Sequence, residues 1–421
     1  MVFLTPTIWI PGVIGVRFEE FFVMLWLVVF AIFYRQGVLE AAYIPVRGAM
    51  LLAFAAIILL SITVGSVMQL PASILDLTKF IWLFKALMVY FIFFNYIARK
   101  DGYEMVRREY IIKWFIRFGV LSSIVCFQQY FDLLGLNSLY VPIIAPTQAY
   151  TLLSGYFAPR VVGMVGNPNL QGAILALCLI CHTYMSLKGK GEWRVLFFLV
   201  LFTALLMTLS RTAFIMSVVG MFSMVFFYKK SMTFALLKMI GVALLLILLT
   251  MAYLVLREYE ALYSVIFFRF ENLSQGVQEG SFAARFEQWR LNIEYFMKSP
   301  IFGVGPLPRA GIFGAADGEW LLFLRTYGIL GTTWLVLFFF LPLLRIRSKS
   351  VEIKNLRALF LALTAAIFLY MIPAGIVTST ITISFVLILL ALYDQPLWLL
   401  ARGANRPQAS KTSQLEPAKA S

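Results

Sequence analysis

The sequence predicts an all-helical polytopic membrane protein of eleven or twelve transmembrane helices, on three observations. Of its 421 residues, 62% are hydrophobic and 13% charged, whereas about a quarter of an ordinary soluble chain is charged. The apolar residues run in unbroken stretches of roughly 20, the length of a helix across a bilayer. The ten-residue alternation of a membrane barrel strand is missing, and hydrocarbon accepts only helices or closed barrels. A soluble enzyme, a disordered chain and a nucleic-acid module are excluded by the same arithmetic. The formal charge of +15 is therefore read as lysine and arginine held on one side of a membrane.

In chain order, residues 1–16 are apolar but broken by Pro6 and Pro11, which suits a short re-entrant or interfacial piece. Eleven spans follow, at about 18–34, 47–66, 78–97, 114–134, 169–187, 193–208, 212–228, 234–256, 320–344, 357–375 and 380–400. The first lacks the basic flank and small-residue site of a cleavable signal peptide. One set of loops holds most of the basic residues, among them Arg47, Arg107, Arg108, Lys113, Lys188, Lys190, Arg194, Arg345 and Lys354. That set is predicted to be cytoplasmic, with the C-terminus. Residues 1–400 read as one transmembrane domain, and 401–421 as a disordered cytoplasmic tail rich in Ala, Pro, Lys and Ser.

The opposite, outer loops are long at 135–168 and 257–319. Within the second, Phe282, Phe286, Trp289, Ile293 and Phe296 recur at helical spacing, which predicts an amphipathic helix over 281–298 that lies on the membrane or caps a cavity. Packing against the spans is the plainer alternative, with Arg285, Glu287, Arg290 and Glu294 as ordinary surface pairs.

Several motifs on this side carry possible chemistry. Asn167 is a good N-cap and Pro168 a good first helical residue. The span they open presents unpaired N–H groups outward, beside Arg160, and such a helix end attracts anions. Thr208-Leu-Ser-Arg211-Thr212 is a tight turn whose Ser210 can cap the next helix. Arg211 at a membrane edge needs a partner or must snorkel. Gly303-Val-Gly305-Pro306 could admit a ligand close to the backbone. Asp317 is a candidate cap or base, Glu319 a second carboxylate, and Arg325 a charge expected to face a polar interior. Lys85 is a further intramembrane charge. Cys178-Leu-Ile-Cys181-His182 has the spacing of a haem-attachment motif, but it sits inside an apolar helix, and small packed cysteines explain it better. One histidine cannot build a histidine-based metal cluster.

The ordered set Arg160…Gly163…Asn167-Pro168-Asn169…Gly172, Ser210-Arg211, Arg285…Trp289…Pro300…Gly303-Val304-Gly305, and Asp317…Gly328-Ile329-Leu330-Gly331 resembles the O-antigen polymerase and ligase family of bacterial inner-membrane proteins, over about residues 160–331. The resemblance implies a GT-C-like glycosyltransferase that needs no metal or other cofactor. It implies an undecaprenyl-diphosphate-linked oligosaccharide as substrate on the periplasmic face. A chain-length regulator and a flippase are the protein partners it implies. Ligases of the family carry a His just before the span that ends Gly-Ile-Leu-Gly. Here Ala316-Asp317-Gly318-Glu319 stands there, which points to a polymerase of an O-antigen, capsule or exopolysaccharide. On this reading Arg160, Asn167, Asn169, Arg211, Arg285, Arg290 and Arg325 bind diphosphate, with Arg211 also assisting catalysis, and Asp317 or Glu319 takes the proton. A ligase of the same family remains an alternative. So does a transporter of lipid-linked oligosaccharide or small anions, against which stands the lack of internal repeats.

Overall fold

The computed structural model describes residues 7–8, 16–17, 25, 45–68, 76, 78–97, 104–153, 159–191, 193–228, 280–306, 318–345, 351–379 and 381–404. Nine of the eleven predicted spans fall on helices there; 18–34, apart from Leu25, and 234–256 lie outside the described residues. The helices are α1 (Val46–Val67), α2 (Thr78–Ile97), α3 (Glu104–Phe131), α4 (Asn137–Ile144), α5 (Ala149–Leu153), α6 (Pro168–Leu187), α7 (Arg194–Met207), α8 (Arg211–Phe227), α9 (Gly280–Lys298), α10 (Glu319–Arg345), α11 (Val351–Tyr370) and α12 (Thr382–Ala404). Six of them, α1, α2, α3, α6, α10 and α11, are long and apolar enough to cross a membrane, and α7, α8 and the apolar part of α12 are shorter apolar helices. The protein is a polytopic helical membrane protein. Among the described residues, strand is confined to a two-residue antiparallel pair, Thr7–Ile8 with Val16–Arg17, near the Pro-broken opening segment.

Helix ends depart from expectation where polar residues extend them. α3 starts at Glu104, ten residues before the apolar run, because charged residues tolerate helix outside hydrocarbon. α11 stops at Tyr370 rather than 375, because residues 371–379 turn back to hold Glu319, as described below. α12 continues to Ala404, into the stretch expected to be disordered.

α6 is the central helix, buried on every face from Pro168 to Met185 apart from Asn169 and Leu170. It is surrounded by α3, α7, α8, α11 and α12. Small residues let the backbones close up, as membrane helices require in place of a hydrophobic drive. A β-carbon on Gly172 would lie 2.7 Å from Ala213 Cβ, and one on Gly220 would lie 3.2 Å from Ala366 Cβ.

At the end of the bundle where α6 finishes, charge is paired. Lys188 Nζ lies 2.6 Å from Glu109 and 2.8 Å from Glu352, which ties α3, α6 and α11 together. Deeper, Arg47 is fully buried. Its Nε donates to the Phe338 carbonyl at 2.8 Å, its Nη1 to Asp394 at 2.7 Å, and its Nη2 to the Phe339 carbonyl at 3.2 Å. Tyr90 Oη donates to the other Asp394 oxygen at 2.6 Å. One ion pair thus fastens α1, α2, α10 and α12. Replacing Asp394 with Asn should cost about 2 kcal/mol, the worth of hydrogen bonds to a charged group, while keeping the shape. Thermal unfolding in detergent would show this, and an unchanged midpoint would mean that the pair contributes nothing.

Candidate functional site

At the opposite end of the bundle, α6 and α8 both begin, side by side. Asn167 is extended and its Oδ1 accepts from the Asn169 and Leu170 amides at 2.9 and 3.2 Å. Ser210 Oγ accepts from the Ala213 amide at 3.4 Å. Between α7 and α8 the chain turns in three residues, with Leu209 forced to φ +49°, an uncommon conformation for a branched side chain. The contact of Gly172 with Ala213 keeps the two helix starts together. Each start carries roughly half a positive charge from its peptide dipoles.

Arg160 lies across both. Its Nη2 donates to Asn169 Oδ1 at 3.0 Å and its Nε to the Thr208 carbonyl at 3.4 Å. Arg211, the first residue of α8, is exposed, and no hydrogen bond or ion pair among the described residues engages its side chain. Two cations at two helix N-termini oppose the dipole preference, which favours an anion there. The arrangement therefore concentrates positive potential that an oxyanion would neutralise.

Glu319 closes the other side. Its carboxylate is fully buried and accepts the amides of Ile376 at 2.8 Å, Val377 at 3.0 Å and Thr378. Its own amide donates to the Met371 carbonyl at 2.8 Å. Gly318, at φ +128°, lies so close that a β-carbon would sit 2.8 Å from the Ile372 carbonyl oxygen. Glu319 thus holds the 371–379 turn, and a carboxylate occupied by three amides and shut from solvent is badly placed to take a substrate proton. Tyr370, at the end of α11, joins the two halves. Its hydroxyl donates to the Asn169 carbonyl at 2.9 Å.

The glycines of 303–305 approach backbone, not open space. α10 is broken at Gly328, at φ +63°, ψ −164°. The Arg325 and Thr326 carbonyls, freed by the break, accept the Val304 and Gly305 amides at 2.9 and 3.1 Å. The Ile329 and Leu330 amides donate to the Pro300 and Ile301 carbonyls at 2.8 and 3.1 Å. Two helical bonds are exchanged for four to the segment that follows α9. Non-helical backbone at membrane depth persists only where such partners exist.

Residues 195–336 match the family model described as O-antigen ligase. That stretch is 142 of the chain's 421 residues, and over it the chain is similar to the O-antigen ligase family. No curated protein matches the sequence. The O-antigen ligase match spans α7, α8, α9 and most of α10, and contains Arg211, Arg285, Arg290, Asp317, Glu319 and Arg325. Arg160, Asn167 and Asn169 fall outside it, yet the structure seats Arg160 on Thr208, inside the matched stretch.

The predicted site residues do not all converge. Arg160, Asn167, Asn169 and Arg211 share one corner, and Glu319 stands behind it. Arg290 is exposed and paired with Glu287 at 2.7 Å and Glu294 at 3.7 Å, so its fork is already occupied. Arg285 lies on α9, and Asp317 lies outside the described residues. Arg325 is buried in α10, in separate surroundings. α9 also turns an unexpected face inward. Asn292 is buried while Ile293, a member of the predicted apolar stripe, is exposed. Cys126, Cys178 and Cys181 are free and buried. His182 Nε2 bonds the Arg194 carbonyl at 2.8 Å, at the end away from Arg160. Tyr370 and Thr208 were not legible as site residues, since an aromatic or a hydroxyl near a helix end is commonplace in membrane proteins.

Proposed function

We propose that the chain is a polysaccharide polymerase. It transfers a growing glycan from undecaprenyl diphosphate to the next lipid-linked repeat unit, at the periplasmic face of the bacterial inner membrane, and its C-terminus is cytoplasmic. The observation that carries this is the pairing of two helix N-termini with Arg160 and Arg211. Arginine makes charge-assisted bonds to phosphate oxygens, and a lipid carrier reaches such a corner from the bilayer. In the step, a sugar hydroxyl of the acceptor attacks the anomeric carbon of the donor. The carbon–oxygen bond to the diphosphate breaks, and the leaving group keeps the electron pair. Arg160, Arg211 and the amides of α6 and α8 stabilise the charge that develops there. Asp317, whose chain neighbour Gly318 lies against the 371–379 turn, takes the hydroxyl proton. A single displacement of this kind inverts the anomeric centre and needs no metal.

The polymerase reading over the ligase reading is supported by the histidine count. The one histidine, His182, lies at the far end of α6 from Asn167 and is engaged by a carbonyl. A deletion strain complemented with wild type, Arg211→Ala or Asp317→Ala provides the test, with surface glycan sized on a gel. Loss of long chains in the deletion and both variants, with single repeats still attached, is expected. Loss of all attached glycan, with polymer accumulating on the carrier, would make the chain a ligase. Unchanged glycan would return the transporter reading.

A further inference from the structure

The segment that carries Arg160 is neither helix nor strand, so its backbone groups need partners from elsewhere. Gln129, in the last turn of α3, supplies them and is 1% exposed. Its Oε1 accepts the amides of Val162 at 3.0 Å and Gly163 at 2.8 Å, and its Nε2 donates to the Gly163 carbonyl at 3.0 Å. One side chain thus satisfies three backbone groups, beginning two residues after Arg160. Gln129 is itself held, because Asn137 at the start of α4 is buried and donates Nδ2 to the Gln129 carbonyl at 2.8 Å. Gly163, at φ +55°, is pressed against α6, where a β-carbon would lie 2.3 Å from Gln171 Cδ. Gln171 in turn donates to Ser122 of α3 at 2.7 Å. Between Arg160 and Val162, the Val161 amide donates to the Met207 carbonyl at 3.3 Å, one residue before the Thr208 carbonyl that Arg160 engages.

The groups at 162–163 call for an acceptor and a donor at one place. A carboxylate accepts both amides but brings no proton for the carbonyl, an ammonium only donates, and asparagine is one methylene short. A glutamine amide meets all three. Arg160 reaches Asn169 and Thr208 together only while its own backbone stays between α6 and the end of α7. The two residues that separate it from Gly163 are too few to absorb a shift. We infer that Gln129 is a positioning residue: by holding Val162 and Gly163 it sets the Arg160 guanidinium across the two helix starts. Gln129 touches no reacting atom. The inference rests on the reading that Arg160 stabilises the leaving diphosphate.

The test measures polymer formation from a lipid-linked repeat in membrane vesicles, per folded molecule of the full chain. It compares wild type, Gln129→Met, Arg160→Ala and the double variant. Methionine keeps the length of the side chain and removes all three bonds. Gln129→Met should lower turnover about 10²-fold, the scale of a misplacement of about 1 Å, with the half-saturating repeat concentration within about twofold of wild type. The double variant should be no slower than Arg160→Ala, since the two changes remove one function. Losses that multiply would overturn the inference, because Gln129 would then act through something other than Arg160. Gln129→Glu keeps the two accepted amides and loses the donor to Gly163, and it serves where the methionine variant does not accumulate. It should transfer about tenfold below wild type, and that loss too should vanish in the Arg160→Ala background. Turnover within twofold of wild type in either Gln129 variant, with Arg160→Ala impaired, would overturn the inference and leave the diphosphate reading standing. Wild-type transfer by Arg160→Ala would instead remove the diphosphate reading, and the inference with it. If wild type forms no polymer, the polymerase reading fails, and hydrogen exchange over residues 160–166 decides the positioning. Faster exchange in Gln129→Met supports it, and equal exchange overturns it.

Discussion

Arg160→Ala is expected to lower glycan transfer by about 10²–10³-fold, the usual effect of removing one preorganised donor from a developing anion. The loss should fall on turnover, because Arg160 acts where charge appears as the diphosphate leaves. Arg160→Lys should recover part of it and remain about tenfold below wild type, since an ammonium cannot reproduce the planar fork that reaches Asn169 and Thr208 together. The measurement is polymer formation in membrane vesicles from a lipid-linked repeat, normalised to protein level by blotting. Transfer at wild-type rates in the alanine variant would remove Arg160 from the chemistry and leave it as a clamp between two helix starts.

The second large effect concerns Glu319. Glu319→Ala strips the acceptor from three buried amides at once, those of Ile376, Val377 and Thr378. Each orphaned donor costs roughly 1–3 kcal/mol, so the sum is roughly 3–9 kcal/mol. Such a loss is a large share of a protein's margin, and reduced membrane levels are expected. Glu319→Gln is the informative partner. Its carbonyl can replace the oxygen that serves Ile376 and Val377, while its amide group meets the Thr378 donor unfavourably, so it should cost roughly half as much. If Glu319 holds the turn, activity per folded molecule survives in Glu319→Gln. Were it the catalytic base, that variant would be folded and dead. Scanning fluorimetry together with the vesicle assay separates the two outcomes.

The spans and helix starts were legible because they depend on local facts. A run of apolar residues of bilayer length is helical wherever it goes, and Asn167-Pro168 and Ser210 cap their helices through bonds to their own next residues. The site was less legible, since it is made by contacts between distant segments. Gly303-Val304-Gly305 reads as a loop open to a ligand, yet its glycines are needed to lie against Thr326 and mend a break at Gly328. The stripe on α9 reads as apolar-inward, whereas the helix turns Asn292 inward. Periodicity identifies which residues share a face but not what the face meets. Glu319 and Asp317 look equivalent in sequence, and only the fold of 371–379 shows one of them occupied.

The break in α10 makes two distant segments depend on one another. Residues 300–305 and the break in α10 supply each other's backbone partners. At insertion the cheapest form of α10 is a continuous helix, with the Ile329 and Leu330 amides bonded to the Arg325 and Thr326 carbonyls, because hydrocarbon supplies no other partner. The described bonds to Pro300, Ile301, Val304 and Gly305 replace that pair of helical bonds in the folded chain. The break and its filler are thus a matched pair, since a change that removed the 300–305 bonds would leave the open turn of α10 with no partner in hydrocarbon.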